Sequence, residues 1–234
     1  MIAKKGEKTS DKKIVYFIGA GPGDPKYITV KGRELLESAD LIIYTGSLVN
    51  PEVLRSARGN KVDSHWMKLE EIVDALVKSV HEGKTAVRLH SGEGLKKRDI
   101  DVRIIPGVSS LFASAAALKK QLTLKGVTET LIITRPAGMT LPKDSLQELS
   151  RHNATMAIYL GAHKIREIMN ELMYSRDTPA AVVYHASWED EKIITGTVGD
   201  IADKVEILGI DRSAMIIIGD VLSPENYMRS HLYG

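Results

Sequence analysis

The residues best suited to chemistry lie in one loop. Gly19-Ala20-Gly21-Pro22-Gly23-Asp24-Pro25 directly follows the apolar run Ile14-Val15-Tyr16-Phe17-Ile18. A buried strand feeds a glycine-dense turn, where the backbone can bend sharply and a ligand can approach the main chain. Dinucleotide binding is the first chemistry to test. It requires G-x-G-x-x-G, and the third glycine position holds Asp24. Pro22 and Pro25 donate no N–H to a pyrophosphate. The next strand, Leu41 to Thr45, ends without an acid to hold a ribose, and no Gly-Lys-Ser/Thr follows. Asp24, at a strand's carboxyl end, is a candidate ligand-facing or catalytic carboxylate, or a cap on its own turn.

The other polar residues give no sign of hydrolysis or metal catalysis. The seven histidines form no His-x-His or His-Glu-x-x-His, so no protein-held metal is expected. Cysteine is absent, which excludes thiolate nucleophiles, disulfides and cysteine-bound zinc. Gly-x-Ser-x-Gly is absent too. His90 and His185 each stand at a strand end, where ligand loops gather, although a surface or capping role is the plainer reading. Trp188 and Glu189 are either a binding pair or a turn with a packed indole. Arg88 and Arg135 face an anionic ligand or solvent.

Alternating strands and helices must position these residues. Thr29 caps a helix through Leu36, strand 41–45 follows, and Leu69, Ile72, Val73, Leu76, Val77 and Val80 mark a helix that Gly83 ends. Strands 85–90 and 101–105 come next, then Pro106-Gly107-Val108-Ser109-Ser110 and a small-residue helix over 111–118. This β-α-β-α-β order predicts a largely parallel sheet. Only about ten residues separate the strands ending at His90 and starting at Asp101, fewer than a parallel crossover usually needs. The spacing implies a deletion or a segment absent from this numbering, and the second is expected. The later half, with strands at 131–134, 155–160, 180–184, 192–197 and 215–219, predicts a mixed sheet with a hairpin. The expectation is two α/β domains, 13–122 and 123–234, after a polar tail over 1–12.

With 234 residues and a net charge of +2, the chain can build real cores and carries no large field for nucleic acid. No apolar stretch approaches the ~20 residues that span a bilayer, and the lysine-rich start has no apolar core of a signal peptide. The lack of cysteine fits a reducing cytoplasm. Periodicity and spacing therefore lead to a two-domain α/β protein with a ligand cleft at the strand ends, and no further.

Several blocks extend that reading. The Gly-x-Gly-Pro-Gly-Asp-Pro loop with Ile28-Thr29-Val30-Lys31-Gly32, and the block Pro106 to Ser110, resemble the signatures of the tetrapyrrole methylases. These are S-adenosylmethionine-dependent enzymes of corrin and sirohaem synthesis, and the resemblance covers residues 13–232. Tyr44 to Glu52, Thr128-Glu129-Thr130, Thr134-Arg135 and Gly138-x-Thr140 resemble the branch acting on C-11 of precorrin-4. Tyr184-x-Ala186-Ser187-Trp188-x-x-Glu191-Lys192 agrees with that branch and its near relatives.

The resemblance implies methyl transfer to an anionic tetrapyrrole, with the cofactor in a cleft between two α/β domains of a cytoplasmic homodimer. It places Pro22 near the cofactor and matches Ser91, Gly92 and Glu93 to the family's second cofactor loop. Ser109 and Ser110 would contact the cofactor, and Leu160, Ala186 and Ala214 would line its adenosine side. Asp24 is the candidate catalytic carboxylate, and Lys31, Arg88 and Arg135 are candidate anchors for substrate carboxylates. Any cobalt would arrive inside the substrate. Relatives continue the second loop with Asp-Pro, an aliphatic pair, Tyr-Gly and a helix, whereas here Glu93-Gly94 passes straight to Leu95. Methylation of another ring position, a nucleotide-dependent oxidoreductase and a non-catalytic ligand-binding relative remain the alternatives.

Overall fold

The structure is a computed structural model that describes residues 13–89, 100–139, 141–224 and 228. The residues fall into two compact units, divided between Val108 and Ser109.

The first unit is built on strands β1 (Ile14–Ile18), β2 (Leu41–Tyr44), β3 (Asn60–Asp63), β4 (Ala86–Leu89) and β5 (Asp101–Ile105). They form one sheet in the order β3-β2-β4-β1-β5, every neighbour parallel. Parallel strands with both faces covered read as nearly continuous apolar runs, which is the character of β1, β2 and β4. One face packs Ile18, Ile42, Val87 and Leu89 with Leu36 of helix α1 (Val30–Ser38). The other packs Val15, Phe17, Ile43 and Ala86 with Val73, Leu76 and Val80 of α2 (Leu69–His81). The Thr29 hydroxyl caps α1 by accepting from Gly32 N at 3.2 Å. Gly83, at φ 76°, ends α2.

Strand β3 is absent from the sequence expectation. Its residues Asn60-Lys61-Val62-Asp63 hold a single apolar side chain, so no alternation marks it. Such a polar strand suits a sheet edge, where it guards against further pairing. β1 connects across β4 toward β2, whereas β4 must connect across β1 toward β5. The adjacent strands β1 and β4 thus send their connections in opposite directions, the arrangement that opens a ligand crevice at the carboxyl ends. Residues 90–100 are all that this chain has between β4 and β5.

The second unit comprises α3 (Ser110–Leu118), β6 (Leu131–Thr134), α4 (Leu146–Ser150), β7 (Thr155–Ile158), α5 (Ile165–Glu171), β8 (Pro179–Tyr184), β9 (Lys192–Thr197), α6 (Ile201–Ile207) and β10 (Ala214–Ile218). Its sheet runs β6-β7-β10-β8-β9, with β6 and β7 parallel and every other pair antiparallel. Met156, Ile158, Val182, Ile216 and Ile218 pack against α5 and α6. The opposite face, with Ala157, Met215 and Ile217, takes Leu111 and Ala115 of α3 together with Leu122. α3 therefore packs on the second sheet. The division falls before α3 and not near residues 120–126, because short alanine-rich turns gave no sign of which sheet they cover.

Where the first unit's loops converge, Gly19 lies against Gly107. A Cβ on Gly19 would stand 2.6 Å from Gly107 N. Gly19→Ala should therefore lower stability by about 1–3 kcal/mol through overpacking, read from the urea midpoint. Gly138→Ala, whose Cβ meets nothing within 4 Å, is the control. Equal midpoints for the two variants would show that the loops after β1 and β5 are not in contact.

Candidate ligand site

Backbone conformation picks out one end of the second sheet. Leu160, His185, Ser187 and Ser213 all have φ between 49° and 70°. Non-glycine residues rarely adopt this left-handed conformation, and it concentrates at functional sites. Leu160 follows β7, His185 and Ser187 follow β8, and Ser213 precedes β10. Because β10 runs antiparallel between β7 and β8, these three chain segments meet at the same end. Ala214 pairs with Tyr184, and the register of Ile216 with Ile158 carries on to set Leu160 across from Ala214. The expected strand through Leu160 stops at Ile158 because the chain turns left-handed at Leu160.

Two further residues are tied to this end. The Ser109 hydroxyl caps α3, accepting from Leu111 N at 3.2 Å, and lies 2.6 Å from the Tyr159 hydroxyl. Arg135 follows β6, which ends level with β7, and Tyr159 N donates to Thr134 O at 2.9 Å. The second unit therefore brings together Ser109, Arg135, Leu160, Ala186 and Ala214, with Ser110 on the first turn of α3. Leu160 is 58% exposed and Ala186 is buried, so the side chain offered at this end is the apolar one of Leu160.

The turn after β8 is densely fastened. The His185 ring stacks on Tyr184 at 3.8 Å and on Trp188 at 4.3 Å between centroids. Its Nδ1 lies 2.9 Å from Asp190 Oδ1. Ser187 N donates to Glu191 Oε2 at 2.6 Å, and Trp188 N donates to His185 O at 2.8 Å. Burial, then the charges of Asp190 and Asp211, push the Tyr184 phenol above its ordinary pKa.

In the first unit Asp24 accepts from Lys26 N at 2.8 Å and caps the turn Pro25–Tyr27. Its capping role is thus present. Arg88 donates to Ser64 Oγ at 2.8 Å and to Thr45 Oγ1 at 3.2 Å. Burial lowers its pKa, partly offset by Asp63. Arg88 is therefore half-buried in a hydroxyl cradle, against the solvated reading. Lys31 pairs with Glu34 at 3.0 Å on an exposed stretch of α1. Ser91, Gly92, Glu93 and His90 lie outside the described residues. Tyr159, Ser213, Thr45 and Ser64 are the site neighbours that the sequence reading missed. Tyr159 had a signal, a phenol among strand aliphatics, but the hydroxyls had none. No group of three or more His, Cys, Asp or Glu able to hold a metal occurs among the described residues.

Residues 14–202 match the family of Tetrapyrrole (Corrin/Porphyrin) Methylases, and the chain belongs to that family. It is 50% identical to the cobalt-precorrin-4 C(11)-methyltransferase of Methanocaldococcus jannaschii, over 96% of this chain and 93% of that one. The fold matches that of a cobalamin biosynthetic enzyme, cobalt precorrin-4 methyltransferase, with a TM-score of 0.85 and 38% identity over 91% of this chain and 97% of that one. It also matches uroporphyrin-III C-methyltransferase from Thermus thermophilus in complex with S-adenosylhomocysteine, with a TM-score of 0.73 and 26% identity over 89% and 98%. The alignment to the M. jannaschii protein spans 243 positions, whereas 96% of 234 residues is about 225. About 18 of its positions, the difference of those two lengths, therefore have no residue in this chain.

The Ser109–Tyr159 bond gives a direct check on this end of the sheet. Ser109→Ala removes both a helix cap and that bond, and should cost about 1–2 kcal/mol. Tyr159→Phe should cost about 1 kcal/mol. A double-mutant cycle on urea denaturation should show coupling between them, and strict additivity would mean that the two hydroxyls do not meet.

Proposed function

We propose that this protein is an S-adenosylmethionine-dependent methyltransferase acting on C-11 of precorrin-4 or cobalt-precorrin-4 in corrin synthesis. The observation that carries the reading is the gathering of Ser109, Leu160, Ala186 and Ala214 at one sheet end, in a chain half identical to a named C-11 methyltransferase. The chemistry of these residues suits a neutral nucleoside. They offer apolar surface, small side chains and hydroxyls, and the loop after β1 has prolines where a pyrophosphate would need N–H donors. That same loop argues against the nucleotide-dependent oxidoreductase.

Pro22, Ser109, Ser110, Leu160, Ala186 and Ala214 hold the cofactor in this proposal, with Ser91, Gly92 and Glu93 assigned by motif alone. When bound, S-adenosylmethionine supplies a methyl group already activated on a sulfonium sulfur. The protein's task is therefore to fix the acceptor carbon near it, which proximity and orientation can achieve with little acid–base chemistry. Arg88, Arg135 and Lys31 neutralise carboxylates of the tetrapyrrole. Arg88 is the best prepared, since two of its donors are already held by Ser64 and Thr45 and a guanidinium carries five. Asp24 shapes its loop and is that loop's candidate polar group toward the substrate. The reading also includes a cytoplasmic homodimer, which light scattering on the purified protein tests for its oligomeric part.

A second reading has its own observation. β4 and β5 flank β1 in parallel, yet only residues 90–100 join them. Parallel crossovers usually take a dozen residues or more. A shortening of that connection would remove part of a cofactor wall and leave a non-catalytic ligand-binding relative.

Calorimetry with S-adenosylmethionine and, separately, NADH distinguishes the classes. Binding of the first alone is expected. Incubation with precorrin-4 and mass spectrometry should then show one added methyl, located at C-11. Cofactor binding without turnover would favour the second reading, and NADH binding alone would sink the methylase assignment.

A further inference from the structure

The turn 184–191 carries more fastening than its length requires. His185 and Ser187 are both left-handed, at φ 49° and 70°, and they flank Ala186 on either side. A left-handed non-glycine residue costs of order 1 kcal/mol and persists where its surroundings over-determine it. Here the surroundings do so. His185 N donates to Ser213 O at 3.0 Å, which ties the turn to the residue before β10. The imidazole is clamped between the Tyr184 and Trp188 rings, with interplanar angles of 17° and 19°. Asp190 fixes the ring's rotation through Nδ1, with oxygens at 2.9 and 3.0 Å. An exposed His–Asp pair alone contributes little. Its use here is directional, because it sets one ring orientation inside a stack that permits several.

We propose that His185 is a positioning residue, whose clamped and hydrogen-bonded ring locks the 185–187 turn so that Ala186 presents its backbone to the adenosine of S-adenosylmethionine. The inference rests on the methyltransferase reading above. Trp188 and Asp190 act through His185, one as the far wall of the stack and the other as its hydrogen-bond partner. Tyr184 is the near wall, and the Lys192 ammonium lies 5.9 Å from the centroid of its ring.

The test uses His185→Gly, His185→Asn and Asp190→Ala in the full chain. Glycine tolerates the left-handed conformation but removes the ring. Asparagine also tolerates it and keeps an N–H able to reach Asp190. A role confined to folding predicts that His185→Gly is less stable than the parent but, while folded, binds as well. The positioning role predicts that the folded variant binds S-adenosylhomocysteine about tenfold more weakly, the scale of lost preorganisation in a small turn. The KM for S-adenosylmethionine should rise alongside, with kcat little changed. Asp190→Ala should follow His185→Gly, and His185→Asn should recover part of the affinity. His185→Gly binding with parental affinity overturns the inference while leaving the methyltransferase reading intact. If the parent protein binds no S-adenosylhomocysteine, the methyltransferase reading fails and the role given to His185 fails with it.

Discussion

The antiparallel insertion of β10 between β7 and β8 is the constraint on which the second unit depends. A strand running against both neighbours puts its start beside their ends. Ser213 and Ala214 therefore stand with Leu160 on one side and His185 and Ala186 on the other. Residues far apart in sequence are gathered without any long loop reaching across the sheet. A parallel β10 would have sent Ala214 to the opposite end, and no side-chain change could have restored the grouping.

Rigidity at that end comes from the core beneath it. Ile158, Val182 and Ile216 are fully buried on the α5 and α6 face, while Ala157 and Ile217 are fully buried under α3. Strands held on both faces do not relax toward easier dihedrals, so the chain leaving them can be kept left-handed at four residues. The first unit meets the same demand by a different device. Its crevice-side loops are brought into contact through glycine, with Gly19 and Gly107 touching backbone to backbone, and Asp24 fixes the following turn. One unit uses strain supported by packing, and the other uses the absence of side chains.

Much of this was legible in the sequence where a single local signal sufficed. Apolar runs gave β1, β2, β4, β8 and β10, Thr29 gave the cap of α1, and Gly83 gave the end of α2. Edge strand β3 escaped because its residues are mostly polar, and the unit boundary escaped because the mostly apolar and small residues of α3 have no charged face to show which sheet they cover. The site residues were named through family motifs, not through periodicity, and the left-handed backbone at Leu160 and His185 has no sequence mark at all. Left-handed turns are usually announced by glycine or asparagine. Here leucine, histidine and serine take that role because tertiary contacts impose it.

The connection between β4 and β5 bears on how complete the first unit is. Val102 packs with the α2 face, and Ile104, two residues on, points the same way beside Phe17. Yet Ile104 is 73% exposed, and α2 makes its main contacts with β1, β2 and β4. Parallel sheets normally have both faces covered by their crossovers. An isoleucine left in water forgoes roughly 1.5–3 kcal/mol of burial, a cost that a helix over the corner would remove. The exposed side chain and the short interval between β4 and β5 both lie at this edge of the first sheet. The second sheet's end, with Ser109, Leu160, Ala186 and Ala214, is built without it. That end owes its geometry to the register of β7, β10 and β8 and to the Ser109–Tyr159 contact, all of them within the second unit.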